Sequence, residues 1–566
     1  MARRVGPGVN AVKRTGRRRR RMALLVAALL SVVGPTRGPG VGASEPGAPE
    51  ALGPQETWDL ARENSGELRF SVTMAPQALA GEQPGGEVAG DAIDWCKRNG
   101  FTHVYLRTFG SGRQADAETL VRAKERLAQA EITSSGLVVT TDLGRRSSMG
   151  WLFPCFTEPA TQDKLRSVFE FSAGLFDEII IDDFLATRCL CDDCLAARGE
   201  RSWSEYRRDL LVDLSDRCIL QPARAANPGV SIILKYPQWY DEFHFKGYDV
   251  ARQTEMFDEV RAGTETREPD DYRWKRVPQY EAYYNLRWVT SIAGDKCRGG
   301  WFDPFGTTPP TFLEQARQTV LAGASEVILV SHRALQSEQG RADMDALHGE
   351  MPDLFRLAAL VRGKPVRGVA APKPPNSEPG RDRYIYDFLG MLGLPLVPCP
   401  GIDADEPALL LTYHSLTDPE LDEKLAARLE GRAPTLVTDN LAVSLPAELR
   451  RRLALRQILP IPPDPWELME IPRDRLDDAR RMLLEPLGVQ FAAPTRVALY
   501  LFGADTAVVE NFNDEQVPVS LGLGAGRTPQ VVLTMPAEPV ELAAADGVAS
   551  VTIAARSLVA LEFRAK

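Results

Sequence analysis

Residues Phe176 to Cys194 read FDEIIIDDFLATRCLCDDC. FDEIII has the texture of a buried strand, Asp182, Asp183 and Phe184 stand at its carboxyl end, and Cys189, Cys191 and Cys194 follow as C-x-C-x-x-C. A strand that ends in carboxylates is how a parallel α/β barrel presents chemistry, because its active site is built at the C-terminal ends of its strands. Three closely spaced cysteines on the loop that follows point to a metal clamp.

Working outward, the same texture repeats. Strand-like runs occur at Arg69–Met74, His103–Phe109, Ser135–Leu143, Phe176–Ile181, Val230–Tyr236, Glu259–Thr266, Arg298–Phe305 and Glu326–His332. Amphipathic helical stretches separate them, for example 88–99, 117–131, 203–226, 280–292 and 312–322. Asn227-Pro228-Gly229 is a helix stop followed by a turn. Eight strands alternating with helices over roughly 265 residues predict a (β/α)₈ TIM barrel at 67–362. An open doubly wound sheet would fit the alternation, but no G-x-G-x-x-G follows an early strand.

Beyond the barrel, 363–494 reads as a smaller α/β unit with buried runs at 396–398, 408–413 and 434–437. Residues 495–566 show only short strands between turns, which predicts a small β-sandwich. At the other end, residues 1–43 carry ten Lys or Arg, no acids and an apolar run at 23–33. This is an export signal in pattern, with small residues at Val41-Gly42-Ala43; the alternative is an uncleaved anchor helix. The expected location is therefore periplasmic or extracellular, or membrane-anchored if the signal is retained. The Gly, Pro, Glu and Ala of 44–66 read as a linker. Without 1–43 the charge balance is 57 basic against 77 acidic residues. Nucleic-acid binding rests on phosphate neutralisation and is a poor match for that excess.

In a barrel the strand-end residues share one mouth. They are Arg107, Asp182, Asp183, Lys235, Tyr236, Glu265, Arg267, Trp301, Asp303 and His332, with Trp239 and Tyr240 just past the fifth strand. Carboxylates among aromatic faces suit glycosidic bond cleavage, where one carboxylic acid protonates the leaving oxygen and a second carboxylate attacks or activates water. Asp183 is the expected acid/base beside Asp182, with Glu265 or Asp303 as the second carboxylate. Arg107, Lys235, Tyr236, Trp239, Arg267, Trp301 and His332 are the expected substrate contacts, with an oligo- or polysaccharide as substrate. Each has a structural alternative. Asp is a favoured cap, adjacent strand residues point opposite ways, Glu265 can pair with Arg267, Asp303 can serve the turn before Pro304, and His332 can be a wall residue.

The three clustered cysteines need a fourth ligand for tetrahedral zinc. Cys155, in WLFPCFTEP after the third strand, would stand on the neighbouring loop. The expected cofactor is a closed structural Zn²⁺ on Cys155, Cys189, Cys191 and Cys194, with disulfides as the alternative in an exported protein. No organic cofactor is indicated.

One cysteine after strand three, C-x-C-x-x-C after strand four, then an α/β domain and a β-domain resembles the family 42 β-galactosidases. It resembles still more closely the bacterial proteins called hypothetical glycosyl hydrolases. The resemblance implies zinc on those four cysteines. It also implies a flavodoxin-like or glutamine-amidotransferase-like middle domain through which homo-oligomers form. It departs from family 42 at the carboxylates, where Asp182-Asp183 and Asp303 replace the family's glutamates. Barrel glycosidases that use strands four and six would instead pair Asp182 or Asp183 with Glu265. The expectation is an exported glycoside hydrolase; the alternative is a non-catalytic carbohydrate-binding protein on a degenerate barrel. Five histidines with no H-x-H or H-E-x-x-H argue against a histidine-ligated metallohydrolase.

Overall fold

A computed structural model describes residues 52–79, 91–270 and 276–565. The expected export signal lies outside them. Eight parallel strands form the first part: β1 (Arg69–Met74), β2 (His103–Gly110), β3 (Thr133–Val138), β4 (Glu178–Ile181), β5 (Ser231–Tyr236), β6 (Glu259–Gly263), β7 (Cys297–Phe302) and β8 (Glu326–Leu329). Each pairs with the next, and β8 pairs back onto β1 at Arg69 with Glu326, so the sheet closes into a (β/α)₈ barrel.

Side chains alternate across a strand, and every second one enters the barrel. Tyr105, Leu137, Ile180, Ile233, Trp301 and Ile328 form the filled interior layer. Beneath it, the N-terminal end is closed by charge. Glu326 on β8 accepts from Arg69 at 2.7 Å, Ser71 at 2.6 Å, Tyr105 at 3.0 Å and Arg261 at 2.9 Å. Arg261 is why β6 reads weakly in the sequence: a buried arginine interrupts the apolar run to meet that glutamate.

The 44–66 stretch expected to be a linker contains a helix, Pro54–Asn64, whose Trp58 and Ala61 are buried against the barrel's helices. Pro54 at its first turn and the carboxylate of Glu56 on the Gly53 N–H begin it.

The middle part is a five-stranded parallel sheet in the spatial order 396–399, 369–372, 409–411, 435–438, 458–459. Counted along the chain this is 2-1-3-4-5, the flavodoxin-like order. The C-terminal part packs a five-stranded antiparallel sheet (366–367, 497–502, 506–511, 557–565 and 527–535) with a four-stranded one (489–492, 517–523, 548–553 and 542–545). Val517, Val519 and Leu521 are buried in alternation, as a sandwich strand requires. Two of these strands, 366–367 and 489–492, come from chain assigned by sequence to the middle part. Both parts are tied to the barrel: Trp288 donates to the Lys373 carbonyl at 2.8 Å, and Arg317 to that of Arg556 at 2.8 Å. Among the described residues no helix is long and apolar enough to cross a membrane.

Candidate active site

Lys235 is the centre of the barrel mouth. Ile233 faces inward on β5, so Lys235, two residues on, does too, and its side chain is 1% exposed. Its ammonium donates to Glu265 Oε1 at 2.5 Å and lies 3.4 Å from Asp183 Oδ2 and 3.9 Å from Asp182 Oδ1. The Trp301 ring supports it from 4.6 Å. Three carboxylates from the ends of β4 and β6 therefore converge on one buried cation.

Both aspartates reach it because the chain leaves the pleat there. Asp182 still takes the ladder bond from its N–H to the Val138 carbonyl, but the Phe184 N–H turns back onto the Asp182 carbonyl at 2.8 Å. The strand alternation that would send neighbours to opposite faces ends at this turn. Asp182 also accepts the Asp183 N–H at 2.7 Å. Glu265 owes its position to Gly263, where a Cβ would collide with Glu265 Oε2 and the Gln238 backbone nitrogen.

Burial and the adjacent Asp183 charge push the Asp182 carboxyl well above its ordinary range. Burial pushes Glu265 up to about 7, with Asp183 and Asp303 adding and Lys235 opposing. For Lys235, burial opposes the charge, but Asp183, Glu265 and Asp182 outweigh it and raise its pKa.

Asp303 stands apart. It pairs through both oxygens with Arg267, one bond measuring 3.0 Å, and caps the Phe305 N–H at 2.9 Å. Arg267 thus pairs with Asp303 and not directly with Glu265, which is bound by Lys235. Arg107 stays accessible at the end of β2 although protein surrounds it enough for burial to lower its pKa.

The structure turns two expected contacts, Tyr236 and His332, and their neighbour in the sequence reading, Tyr240, away from the mouth. Tyr236 is fully buried against Phe243 and Tyr248, because Lys235 takes the inward position and its neighbour must face out. Tyr240 is also fully buried and donates to Asp387 of the middle domain at 2.9 Å. His332 is 4% exposed, edge-on to Trp95 and bonded to Gln336 at 2.7 Å; burial lowers its pKa to about 4, so it is a neutral wall residue. Trp239 remains half-exposed in a wall with Phe153, Phe243 and Tyr248.

Three residues were not singled out by the sequence. Tyr248 is buried, its hydroxyl has no partner among the described residues, and burial with the charges of Asp183 and Asp182 raises its pKa. Glu281 is a buried acid beside Asp387, Glu265 and Arg267, pushed up first by burial. Asp241 ties the loop after β5 to the middle domain: it accepts the Tyr384 N–H at 2.6 Å and lies 3.3 Å from His414 and 3.6 Å from Lys373. All three sit on loops or helix starts, where no periodicity marks them.

The sulfurs of Cys155, Cys189, Cys191 and Cys194 lie within 4.8 Å of one another and all eight cysteines are unpaired. This set could hold one metal ion. Arg145 reaches Cys155 at 3.1 Å and Cys191 at 3.3 Å, and Thr157 meets Cys194 at 2.8 Å. The cluster joins the loops after β3 and β4, which carry Phe153 and Phe184, 6.2 Å apart, to the wall of the mouth.

The family model described as "Probable glycosyl hydrolase, catalytic domain" matches residues 57–372, over half of the chain and all eight barrel strands. The chain belongs to this glycosyl hydrolase family. The chain is 25% identical over 336 residues to the uncharacterized protein SSO3021 of Saccharolobus solfataricus. That match spans 54% of this chain and 56% of that protein, so the chain covers about half the length of the curated relative. Among solved structures it is similar to α-L-fucosidase isoenzyme 2 of Paenibacillus thiaminolyticus, with TM-score 0.57 and 11% identity over 88% of this chain and 100% of that one. It is similar also to Gan42B, a GH42 β-galactosidase, with TM-score 0.56 and 10% identity over 88% of this chain and 98% of that one. At such identities the likeness is one of fold, and it extends past the barrel.

Proposed function

We propose that this glycosyl hydrolase cleaves O-glycosidic bonds of an oligo- or polysaccharide with Asp183 and Glu265 as its carboxylate pair. The observation that carries this reading is their joint contact with Lys235. The two oxygens that touch the ammonium are at most about 6 Å apart, compatible with the ~5–5.5 Å of a retaining pair and short of the ~6.5–9.5 Å of an inverting one.

The environments divide the roles. Glu265, nearly buried and raised to about 7, is suited to hold the proton that the leaving oxygen needs. Asp183 is more exposed than Glu265, 14% against 4%, and its Oδ2 lies 3.4 Å from the ammonium, which suits it to the role of nucleophile. This reverses the acid/base role expected for Asp183 from its position alone. Asp182 positions the Asp183 backbone. Asp303, bound to Arg267, supports the β7 loop and is not the second carboxylate. Arg107 and Trp239 remain the accessible candidates for sugar contact.

We further propose that the four cysteines bind zinc. Cys155 Sγ is 3.8 Å from Cys191 Sγ and 3.6 Å from Cys194 Sγ. Thiolates ~2.3 Å from a tetrahedral ion stand roughly 3.8 Å apart, whereas a disulfide needs ~2.05 Å. Four thiolates close the coordination shell, so the ion would staple the loops bearing Phe153 and Phe184 and activate no water. Export, and homo-oligomer formation through the middle domain, complete the proposal on sequence grounds.

The test is turnover of a broad glycan panel by wild type, Asp183→Asn and Glu265→Gln. Turnover lost in both variants, with unchanged circular dichroism, supports the pair. Binding without turnover in wild type would favour the carbohydrate-binding alternative.

A further inference from the structure

Beside the mouth, between the barrel and the middle domain, lies a crevice of about 520 Å³, within the ~300–1,000 Å³ of pockets that hold small ligands. Its lining includes Arg188, Arg207, Glu242, Lys246, Glu378 and Arg383. Most of these charges are already matched. Glu242 pairs with Lys246 at 2.7 Å and with Arg383. Asp241, at the same edge, accepts the Tyr384 N–H and lies 3.3 Å from His414 and 3.6 Å from Lys373.

The two other arginines have no carboxylate. Arg207 is 7% exposed, donates to the Phe245 carbonyl at 2.7 Å and lies over Trp203, and its Nε has no partner among the described residues. Arg188 is exposed, lines the same crevice and makes no hydrogen bond or ion pair among the described residues. Two cations line one crevice, one of them buried with an unused donor, and an anion seated there would meet both. The carboxylate left to oppose them is Glu378, whose partner His244 is kept neutral by burial.

The crevice adjoins the proposed catalytic pair through one aromatic layer. Lys246 Nζ is 3.4 Å from the Trp239 ring centroid, Trp239 is 5.8 Å from Tyr248, and Tyr248 lies in the field of Asp183. A glycan held at the carboxylates and passing the half-exposed Trp239 would bring a neighbouring sugar unit to Arg188.

We propose that this crevice is a subsite for an anionic sugar residue, one bearing a carboxylate or a sulfate ester, in the glycan that the enzyme cuts. The substrate class is then an acidic polysaccharide. The inference rests on the glycosidase reading for the position of the bond cut, but the anion site itself does not depend on turnover.

The experiment is calorimetric titration of the full chain with a galacturonic acid hexamer, a sulfated carrageenan hexamer and neutral cellohexaose. The expected result is about tenfold or greater preference for one acidic hexamer over the neutral one, as charge-assisted hydrogen bonds imply. Which acidic hexamer binds tighter separates carboxylate from sulfate. Arg188→Gln, an exposed substitution, should abolish the preference and leave hydrolysis of short aryl glycosides unchanged. Glu378→Gln should tighten acidic binding. Equal affinity for all three hexamers, a preference that survives Arg188→Gln, or no gain in Glu378→Gln would overturn the proposal. Hydrolysis of neutral glycans without acidic preference would overturn the subsite and keep the glycosidase; Arg188-dependent binding of an acidic hexamer with no hydrolysis of any glycan would do the reverse.

Discussion

Lys235→Met removes one charge and leaves the apolar stem in place. Asp182, Asp183 and Glu265 then keep their buried positions without the ammonium that lies 2.5 to 3.9 Å from them. Deleting one partner of a buried ion pair costs about 3–5 kcal/mol. Asp182 is already driven toward its neutral form, so the cost falls on Asp183 and Glu265, and about 3 kcal/mol is expected. The sign with pH follows from Glu265. Its folded pKa, about 7 in the wild type, rises further without Lys235, while the unfolded value stays near ~4.3. A carboxyl whose folded pKa exceeds its unfolded one binds more protons when folded, so stability falls as pH rises between the two values. The variant should melt close to wild type at pH 4.5 and well below it at pH 8. On an active substrate, the alkaline limb of its kcat/KM profile should move to higher pH. A melting difference equal at both pH values, together with an unmoved alkaline limb, would refute the reasoning.

In the wild type, if Glu265 supplies the proton, kcat/KM should fall as pH rises through about 7, and Glu265→Gln should remove that limb along with most of the rate. Asp303→Ala should lower the melting temperature, because the buried Arg267 loses its bidentate carboxylate, while kcat of the folded variant stays within about tenfold; a loss of ~10³ or more without thermal change would make Asp303 a catalytic carboxylate. Metal analysis of the purified protein should find zinc in equal amount to chain, and Cys191→Ser should lose it and destabilise the loops; an unchanged metal content would contradict the cysteine assignment.

The barrel was legible because apolar runs alternate with helical stretches, and because β4 ends in two aspartates, which the structure brings to Lys235. Only β6 was faint, since Arg261 serves the charged floor of the barrel and breaks the pattern. The helix at 54–64 was hidden in linker-like composition, its sign being the spacing of Trp58 and Ala61. The site was half legible. Its strand-end position put Lys235 at the mouth together with Tyr236, and strand alternation applied to the pair would have placed Tyr236 outside. That Asp303 serves Arg267 while Glu265 serves Lys235 depends on distances between loops that no local pattern encodes. The same holds for Arg188 and Arg207, which are nineteen residues apart in sequence and line one crevice with Glu378 and Arg383 of the middle domain.

Catalysis by the carboxylates at Lys235 is tested by hydrolysis of a panel of neutral and acidic glycans and aryl glycosides by the wild type beside Asp183→Ala. The wild type should turn over at least one substrate, and the variant should lose that turnover while keeping its melting temperature. Turnover that persists in Asp183→Ala would contradict the carboxylate assignment, and a panel that the wild type binds but never cleaves would contradict the enzyme itself.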